Sequence, residues 1–209
     1  MRTVDLFAGC GGMSLGFQRA GYDLIGAFEN WKPAINIYRA NFNHKLYEVD
    51  LSKIADYSII SDLNPDLIIG GPPCQDFSIV GKRDENNGRG ILTVAYAEII
   101  KHTQPEWFVM ENVPRIEKSQ KLKTAKRISV EAGYGLTEVV LNACYCGVPQ
   151  RRKRYFLIGR LKEPDHFMDG YFAKNRNVSP MSVYDYLGDS LQAEHFYVHP
   201  RRNAGIVQE

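Results

Sequence analysis

The sequence predicts a doubly wound α/β domain with a mostly parallel sheet, and three observations predict it. Short apolar runs rich in Val, Ile, Leu, Phe and Tyr recur up to Arg160. Between them lie stretches with helix-period amphipathic patterns. The third run ends in Asp50 and the fourth runs into glycines and prolines, residues that turn a chain or meet a ligand. Near-continuous apolar runs suit strands buried on both faces, and strand–helix alternation is the mark of parallel crossover units.

The expected strands are 3–7, 24–28, 46–50, 67–69, 107–110, 137–141 and 155–158. The expected helices are 13–20, 32–41, 52–57, 93–102 and 119–132. In the fourth of these, Leu92, Tyr96, Ile99 and Ile100 share one helical face. The third and fourth strands run into Asp50 and into Gly70-Gly71-Pro72-Pro73, so a ligand should gather at those carboxyl ends. Past Arg160 the alternation fades. Pro164, Pro180 and Pro200 punctuate a polar stretch with one amphipathic segment at 182–187. The expected division is a domain over 1–162 and a trailing segment over 163–209 that leads toward a further part.

Composition excludes several classes. In 209 residues, 44% are hydrophobic and 24% charged, which is ordinary for a globular chain and rules out a disordered tail, a collagen-like repeat or a disulfide miniprotein. No run approaches the roughly 18 apolar residues a membrane span needs, and Asp5 interrupts any signal-peptide core. Four Cys without framework spacing point to a reducing compartment, with the cytoplasm as the expected location. Net charge is only +2, but it is unevenly spread. From Arg115 to Arg160 there are 11 Lys and Arg against 3 Glu, while the rest of the chain carries 15 basic and 21 acidic side chains. That basic stretch is either a solvated helix face or a footprint for phosphate.

Four motifs carry chemistry. Asp5-Leu6-Phe7-Ala8-Gly9-Cys10-Gly11-Gly12 takes a strand through a glycine turn into a helix, where backbone can approach a ligand and free N–H groups await one. Glu29 follows at the end of the second strand, placed to accept hydrogen bonds from ribose hydroxyls. Asp50 suits either a helix cap or an acceptor for an adenine amino group. In Gly70-Gly71-Pro72-Pro73-Cys74-Gln75-Asp76-Phe77-Ser78, two prolines stiffen the backbone before a cysteine at a strand end, a setting for a thiolate nucleophile. Met110-Glu111-Asn112-Val113-Pro114 puts a carboxylate at the next strand end, an acid/base partner with a raised pKa. In Gln150-Arg151-Arg152-Lys153-Arg154, alternate residues of an extended chain share a face, so Arg152 and Arg154 point together and Arg151 and Lys153 point the other way.

These motifs, in this order, closely resemble the DNA (cytosine-5) methyltransferases over residues 3–160. The Pro-Pro-Cys-Gln and Glu-Asn-Val pair is the specific part; the glycine loop is shared by many methyltransferases. The resemblance implies the Rossmann-like fold of S-adenosylmethionine-dependent methyltransferases, with S-adenosylmethionine as cofactor, no metal, and duplex DNA as substrate. It implies that Cys74 attacks carbon 6 of a flipped cytosine, that Glu111 engages ring nitrogen 3, and that Arg152 and Arg154 support the flipped base. It implies a cofactor site of Phe7, Ala8, Gly9, Gly11, Gly12, Glu29, Asn30, Asp50, Leu51, Pro73 and Leu92. It implies DNA contacts from Gln75, Ser78, Arg89, Asn112, Arg151 and Lys153, with 81–90 as a loop that closes over DNA. Restriction–modification is the family's common setting.

The sequence also departs from the family pattern. Asn30 stands where many members place a large or aromatic residue, and Trp31 comes one step later. Cys144 and Cys146 stand where Ala or Asp and an aromatic are common, and two Cys without a nearby His are a poor metal set. The family's target-recognition part and its closing glycine-rich and Gly-Asn blocks have no counterpart after Arg160. The expectation is therefore the catalytic part of a split or truncated enzyme, lacking the C-terminal completion, with a second polypeptide supplying target recognition. Two alternatives stay open: a non-catalytic DNA-binding or regulatory subunit, and a tRNA cytosine methyltransferase, although Asp76-Phe77-Ser78 after Gln75 favours DNA over tRNA.

Overall fold

A computed structural model describes residues 1–73, 91–175 and 177–188. Seven strands form one sheet: β1 (Arg2–Leu6), β2 (Asp23–Glu29), β3 (Leu46–Glu48), β4 (Leu67–Gly70), β5 (Trp107–Asn112), β6 (Tyr134–Asn142) and β7 (Lys153–Leu161). Their order is β3-β2-β1-β4-β5-β7-β6. The first five are parallel to one another, and β7 runs antiparallel between β5 and β6. The direction of winding reverses between β1 and β4, so the carboxyl ends of these two strands frame the natural ligand crevice.

Helices cover both faces because the strands have apolar residues on both. They are α1 (Gly12–Arg19), α2 (Lys32–Asn41), α3 (Ser58–Ser61), α4 (Ile91–Thr103), α5 (Gln120–Glu131), α6 (Asp169–Lys174) and α7 (Val183–Leu187). Val4, Leu6 and Ile68 pack with Ile60, Tyr96, Ile99, Ile100 and Leu122 of α3, α4 and α5. One residue along the same strands, Leu67 and Ile69 pack with Met13 and Phe17 of α1, while Ala27 meets Ile35 and Tyr38 of α2. This is the period of two that a strand imposes. Each large side chain buried this way contributes about 1.5–3 kcal/mol, which fixes the sheet and hence the strand ends.

Several elements differ from the sequence expectation. No helix forms over 52–57; instead, the Asp50 carboxylate accepts the N–H and the hydroxyl of Ser52 and closes a turn. The helix begins only at Ser58, whose N–H and hydroxyl are taken by Asp56. Strand β3 ends at Glu48, short of the expected 46–50, and Asp50 opens the turn that follows and caps no helix. Strands β6 and β7 are nine residues each, longer than the expected 137–141 and 155–158, because they pair with each other along their whole length. Helix α6 carries no buried residue and so left no periodic signal.

The segment after β7 turns back along the edge strand β6. Asp165 accepts the Leu136 N–H at 2.8 Å, the His166 N–H reaches Leu136 O at 2.8 Å, and the Met168 N–H reaches Thr137 Oγ1 at 3.2 Å. These bonds occupy backbone groups that an open edge would leave unpaired. Among the described residues no helix is long and apolar enough to cross a membrane.

Candidate active site

The glycine turn leaves β1 through unusual backbone. Phe7 (φ 57°), Gly9 (φ 56°) and Gly11 (φ 90°) all lie in the left-handed region, which costs a non-glycine residue free energy. The Ala8 N–H is held by Phe28 O at 3.1 Å, and the Gly11 N–H closes onto Ala8 O at 2.9 Å. Gly11 has no substitute here: a Cβ on it would lie 2.2 Å from Cε2 of Phe42. Helix α1 starts at the next residue.

Glu29, at the end of β2, organises this turn. Its Oε2 accepts the Gly9 N–H at 2.8 Å, and its Oε1 accepts the N–H groups of Asn30 and Trp31, both at 2.8 Å. A carboxylate has about four lone-pair sites, so one remains for a ligand hydroxyl. Asp50 is tied to Ser52 in the same fashion, and its carboxyl sits below the ordinary range chiefly because of the Ser52 hydroxyl.

These strand ends enclose a cavity of about 720 Å³, within the range of small-molecule sites. Phe7, Phe28, Val49, Leu51, Pro73 and Leu92 supply apolar wall, and Glu29, Asn30, Asp50 and Ser52 supply polar edge. Gly9 and Gly71 bring backbone to it, and Trp31, 63% exposed, stands at its rim. Eight of the eleven residues expected at the cofactor site line the cavity: Phe7, Gly9, Glu29, Asn30, Asp50, Leu51, Pro73 and Leu92. Ala8, Gly11 and Gly12 do not line it; they shape the turn behind it. Phe28, Trp31, Val49, Ser52 and Gly71 also line it and were missed. Phe28, Trp31, Val49 and Ser52 each sit beside a residue that was named, and Gly71 lies in the stretch from Gly70 to Pro73 where a ligand was expected, so the switch-point rule was the signal that finds them.

The second part of the site joins the ends of β4, β5 and β7. Glu111 lies opposite Phe156 in the antiparallel ladder, and Arg154, two residues before Phe156, shares its face. Arg154 Nε stands 2.7 Å from Glu111 Oε1 in a half-buried ion pair. Burial pushes the Glu111 carboxyl above its ordinary range, while the guanidinium groups of Arg154 and Arg152 pull it back down. A Cβ on cavity-lining Gly71 would lie 3.4 Å from Glu111 Oε2, so Glu111 borders the same cavity.

Asn112, expected among the DNA contacts, is 3% exposed. It lies on the opposite face of β5 from Glu111, where its amide donates to Pro72 O at 3.0 Å and its Oδ1 accepts the Val113 N–H at 2.9 Å. In this position it pins the segment just after β4 to the end of β5. Arg151, Arg152 and Lys153 are exposed and form no ion pair among the described residues. Cys74, Gln75, Ser78 and Arg89, and the loop 81–90, lie outside the described residues. Cys10, Cys144 and Cys146 are free thiols, and no group of three or more His, Cys, Asp or Glu among the described residues could hold a metal ion.

Comparison with known proteins places this geometry. The model of the C-5 cytosine-specific DNA methylase family matches residues 1–203. The chain is 50% identical over 202 residues to the Type II methyltransferase M.HindV of Haemophilus influenzae, covering 96% of this chain and 66% of that protein. It is 48% identical over 202 residues to the Type II methyltransferase M.HgiDI of Herpetosiphon aurantiacus, covering 96% and 65%. Among solved structures, a prophage-encoded DNA modification methyltransferase from Escherichia coli superposes with a TM-score of 0.74 at 30% identity, covering 90% of this chain and 54% of the other. The chain thus spans about two thirds of the length of these relatives and about half that of the solved structure. The described sheet, the glycine turn and the Glu111–Arg154 pair stand within the matched region, and the chain belongs to the C-5 cytosine-specific DNA methylase family.

Proposed function

We propose that this chain carries the catalytic machinery of a DNA (cytosine-5) methyltransferase, with S-adenosylmethionine in the cavity and Cys74 as nucleophile. The observation that carries the reading is the meeting of two strand ends at one cavity: Pro73, next to Cys74 in the chain, lines it, and Glu111 borders it through Gly71. Family membership supplies the reaction class.

The residues present fit the cofactor. The cavity has apolar walls for an adenine ring and a carbon chain, and carboxylates of Glu29 and Asp50 at its edge for hydroxyl and amino donors. When bound, S-adenosylmethionine supplies an electrophilic methyl group. The chain's own residues do the rest. The Cys74 thiolate forms a bond to carbon 6 of the extruded cytosine, and Glu111 in its acid form gives a proton to ring nitrogen 3 as that bond forms. Burial favours the acid form of Glu111 against the pull of the Arg154 and Arg152 guanidinium groups, and Arg154 fixes its direction. Carbon 5 gains the electron density needed to take the methyl group. Loss of the carbon 5 proton to water and return of the nitrogen 3 proton to the Glu111 carboxylate then expel Cys74, whose sulfur is a good leaving group. Arg152 lies close enough to Glu111 to act on its charge, which supports a place for it beside the base. Arg151, Lys153, Gln75, Ser78 and Arg89 are proposed to meet the DNA, with phosphate the partner for the cations.

The proposal extends to a domain over 1–162 that binds cofactor and catalyses, and to 163–209 as the start of a region leading toward target recognition, a task a second polypeptide would complete. The name shared by the relatives, Type II methyltransferase, supports a role in restriction–modification. The test is transfer of labelled methyl from S-adenosylmethionine to mixed-sequence duplex DNA, followed by nucleoside analysis. The product expected is 5-methylcytosine, abolished in Cys74→Ala. Methylation of adenine, or of tRNA and not DNA, contradicts it.

A further inference from the structure

Asp5 is 1% exposed, takes no part in the proposed chemistry, and begins an unbroken line of hydrogen bonds that leaves the core. Its Oδ2 is 2.5 Å from Ser14 Oγ; Ser14 Oγ is 2.7 Å from the Tyr38 hydroxyl; that hydroxyl is 2.6 Å from Nε2 of half-buried His44. The line crosses the base of the glycine turn. Asp5 lies two residues before Phe7, Ser14 sits in the first turn of α1, and a Cβ on Gly11 would come within 3.1 Å of the Tyr38 ring. Asp5 Oδ1 is buried and has no hydrogen-bond partner.

Counting hydrogens defines what this line can do. It has three links, and each takes one hydrogen. If Asp5 is protonated and His44 Nε2 is bare, then Asp5, Ser14 and Tyr38 each donate toward His44 and every link is filled. If Nε2 carries hydrogen and Asp5 is ionised, the donors run the other way and every link is again filled. If both ends are protonated, four hydrogens compete for three links. Moving the acid proton to Oδ1 is no escape, because that oxygen has no acceptor. One link must then break.

We propose that Asp5, Ser14, Tyr38 and His44 form a proton relay that holds the glycine turn, so that protonation of His44 at its outer end breaks the relay and weakens cofactor binding. The four are positioning residues, and the ligand half of the proposal rests on the cavity being the cofactor site. Burial favours the neutral form at both ends, raising Asp5 and lowering His44. The charged and titratable groups facing the relay are Glu29 and Asp23 from β2 and Tyr96 from α4. Asp23 favours the charged form of His44 and Glu29 favours the protonated form of Asp5. Both of these push toward the doubly protonated state as pH falls.

The test is calorimetric titration of the full chain with S-adenosylmethionine from pH 5.5 to 8, comparing wild type, His44→Gln and Tyr38→Phe. Wild type should lose roughly three- to tenfold in affinity toward pH 5.5, the worth of about one net hydrogen bond. His44→Gln should match wild type at pH 8 and stay flat. Tyr38→Phe should be weaker throughout and flat. An equal pH dependence in wild type and His44→Gln overturns the relay. If wild type binds no cofactor at any pH, the cavity assignment fails and the relay is judged on unfolding. The stability gap between His44→Gln and wild type should then widen as pH falls and shrink in a Tyr38→Phe background. A gap that ignores both also overturns it.

Discussion

Arg154 stands 2.7 Å from Glu111 because the antiparallel β5–β7 ladder sets both on one face, one diagonal step apart. The guanidinium holds down a carboxyl that burial pushes up. Arg154→Ala removes that restraint, so Glu111 should titrate higher. A step that needs the Glu111 acid fades as pH rises through its pKa, and the alkaline limb of kcat/KM should therefore move upward in the variant. Loss of orientation should lower the rate at neutral pH by about 10²-fold or more. A pH–rate profile checks both, and an unmoved alkaline limb contradicts the link.

Asn112 should matter through Pro72. Asn112→Ala leaves the Pro72 carbonyl without the donor it has now. The expected loss is about 1–3 kcal/mol in urea unfolding, with kcat falling more than cofactor affinity. A variant as stable as wild type would show that this bond does not hold the strand ends together.

Gly11 tests the glycine turn. Gly11→Ala places a Cβ against the Phe42 ring at a positive φ, and about 1–3 kcal/mol of stability and much of the cofactor affinity should go with it. Gly12→Ala is the control: Gly12 has no neighbour within 4 Å of the added atom and should unfold close to wild type. Equal midpoints for the two variants would refute the steric account.

Asp5 gives a signed prediction. Burial raises its pKa from 3.8 to about 7, so the folded state binds its proton more tightly than the unfolded chain does. Its stabilising contribution is complete below pH 4 and is lost as pH climbs through 7. Asp5→Asn cannot ionise. Relative to wild type it should therefore gain about 2–3 kcal/mol between pH 5 and pH 8 in chemical unfolding. A constant difference across that window would mean Asp5 is not held as a neutral acid.

Most of the frame was legible because its signals are local. Apolar runs such as 67–69 announce buried strands wherever they occur, and Gly9, Gly11 and Pro73 mark strand ends by composition. What escaped depended on partners distant in sequence. Nothing around Glu29 in the sequence shows that the Gly9, Asn30 and Trp31 amides converge on its carboxylate. Nothing near Asn112 in the sequence shows that its amide meets Pro72, 40 residues away. The expected helix over 52–57 yielded to two short-range Asp–Ser turns, at Asp50 and Asp56, that compete with helix formation. The pairing of Arg154 with Glu111 was half legible: alternation puts Arg152 and Arg154 on one face, but only the β5–β7 register says which residue they meet.

The most direct test of the account is a covalent trap. The chain would be incubated with S-adenosylmethionine and duplex DNA containing 5-fluorocytosine, beside a Cys74→Ser control and with any partner chain that restores activity. Fluorine at carbon 5 blocks the final elimination, so an enzyme that forms a bond from Cys74 to carbon 6 stays attached. The account predicts a denaturation-resistant protein–DNA adduct that is absent in Cys74→Ser. Labelled methyl transfer to ordinary cytosine with no adduct, or an adduct that survives Cys74→Ser, would contradict it.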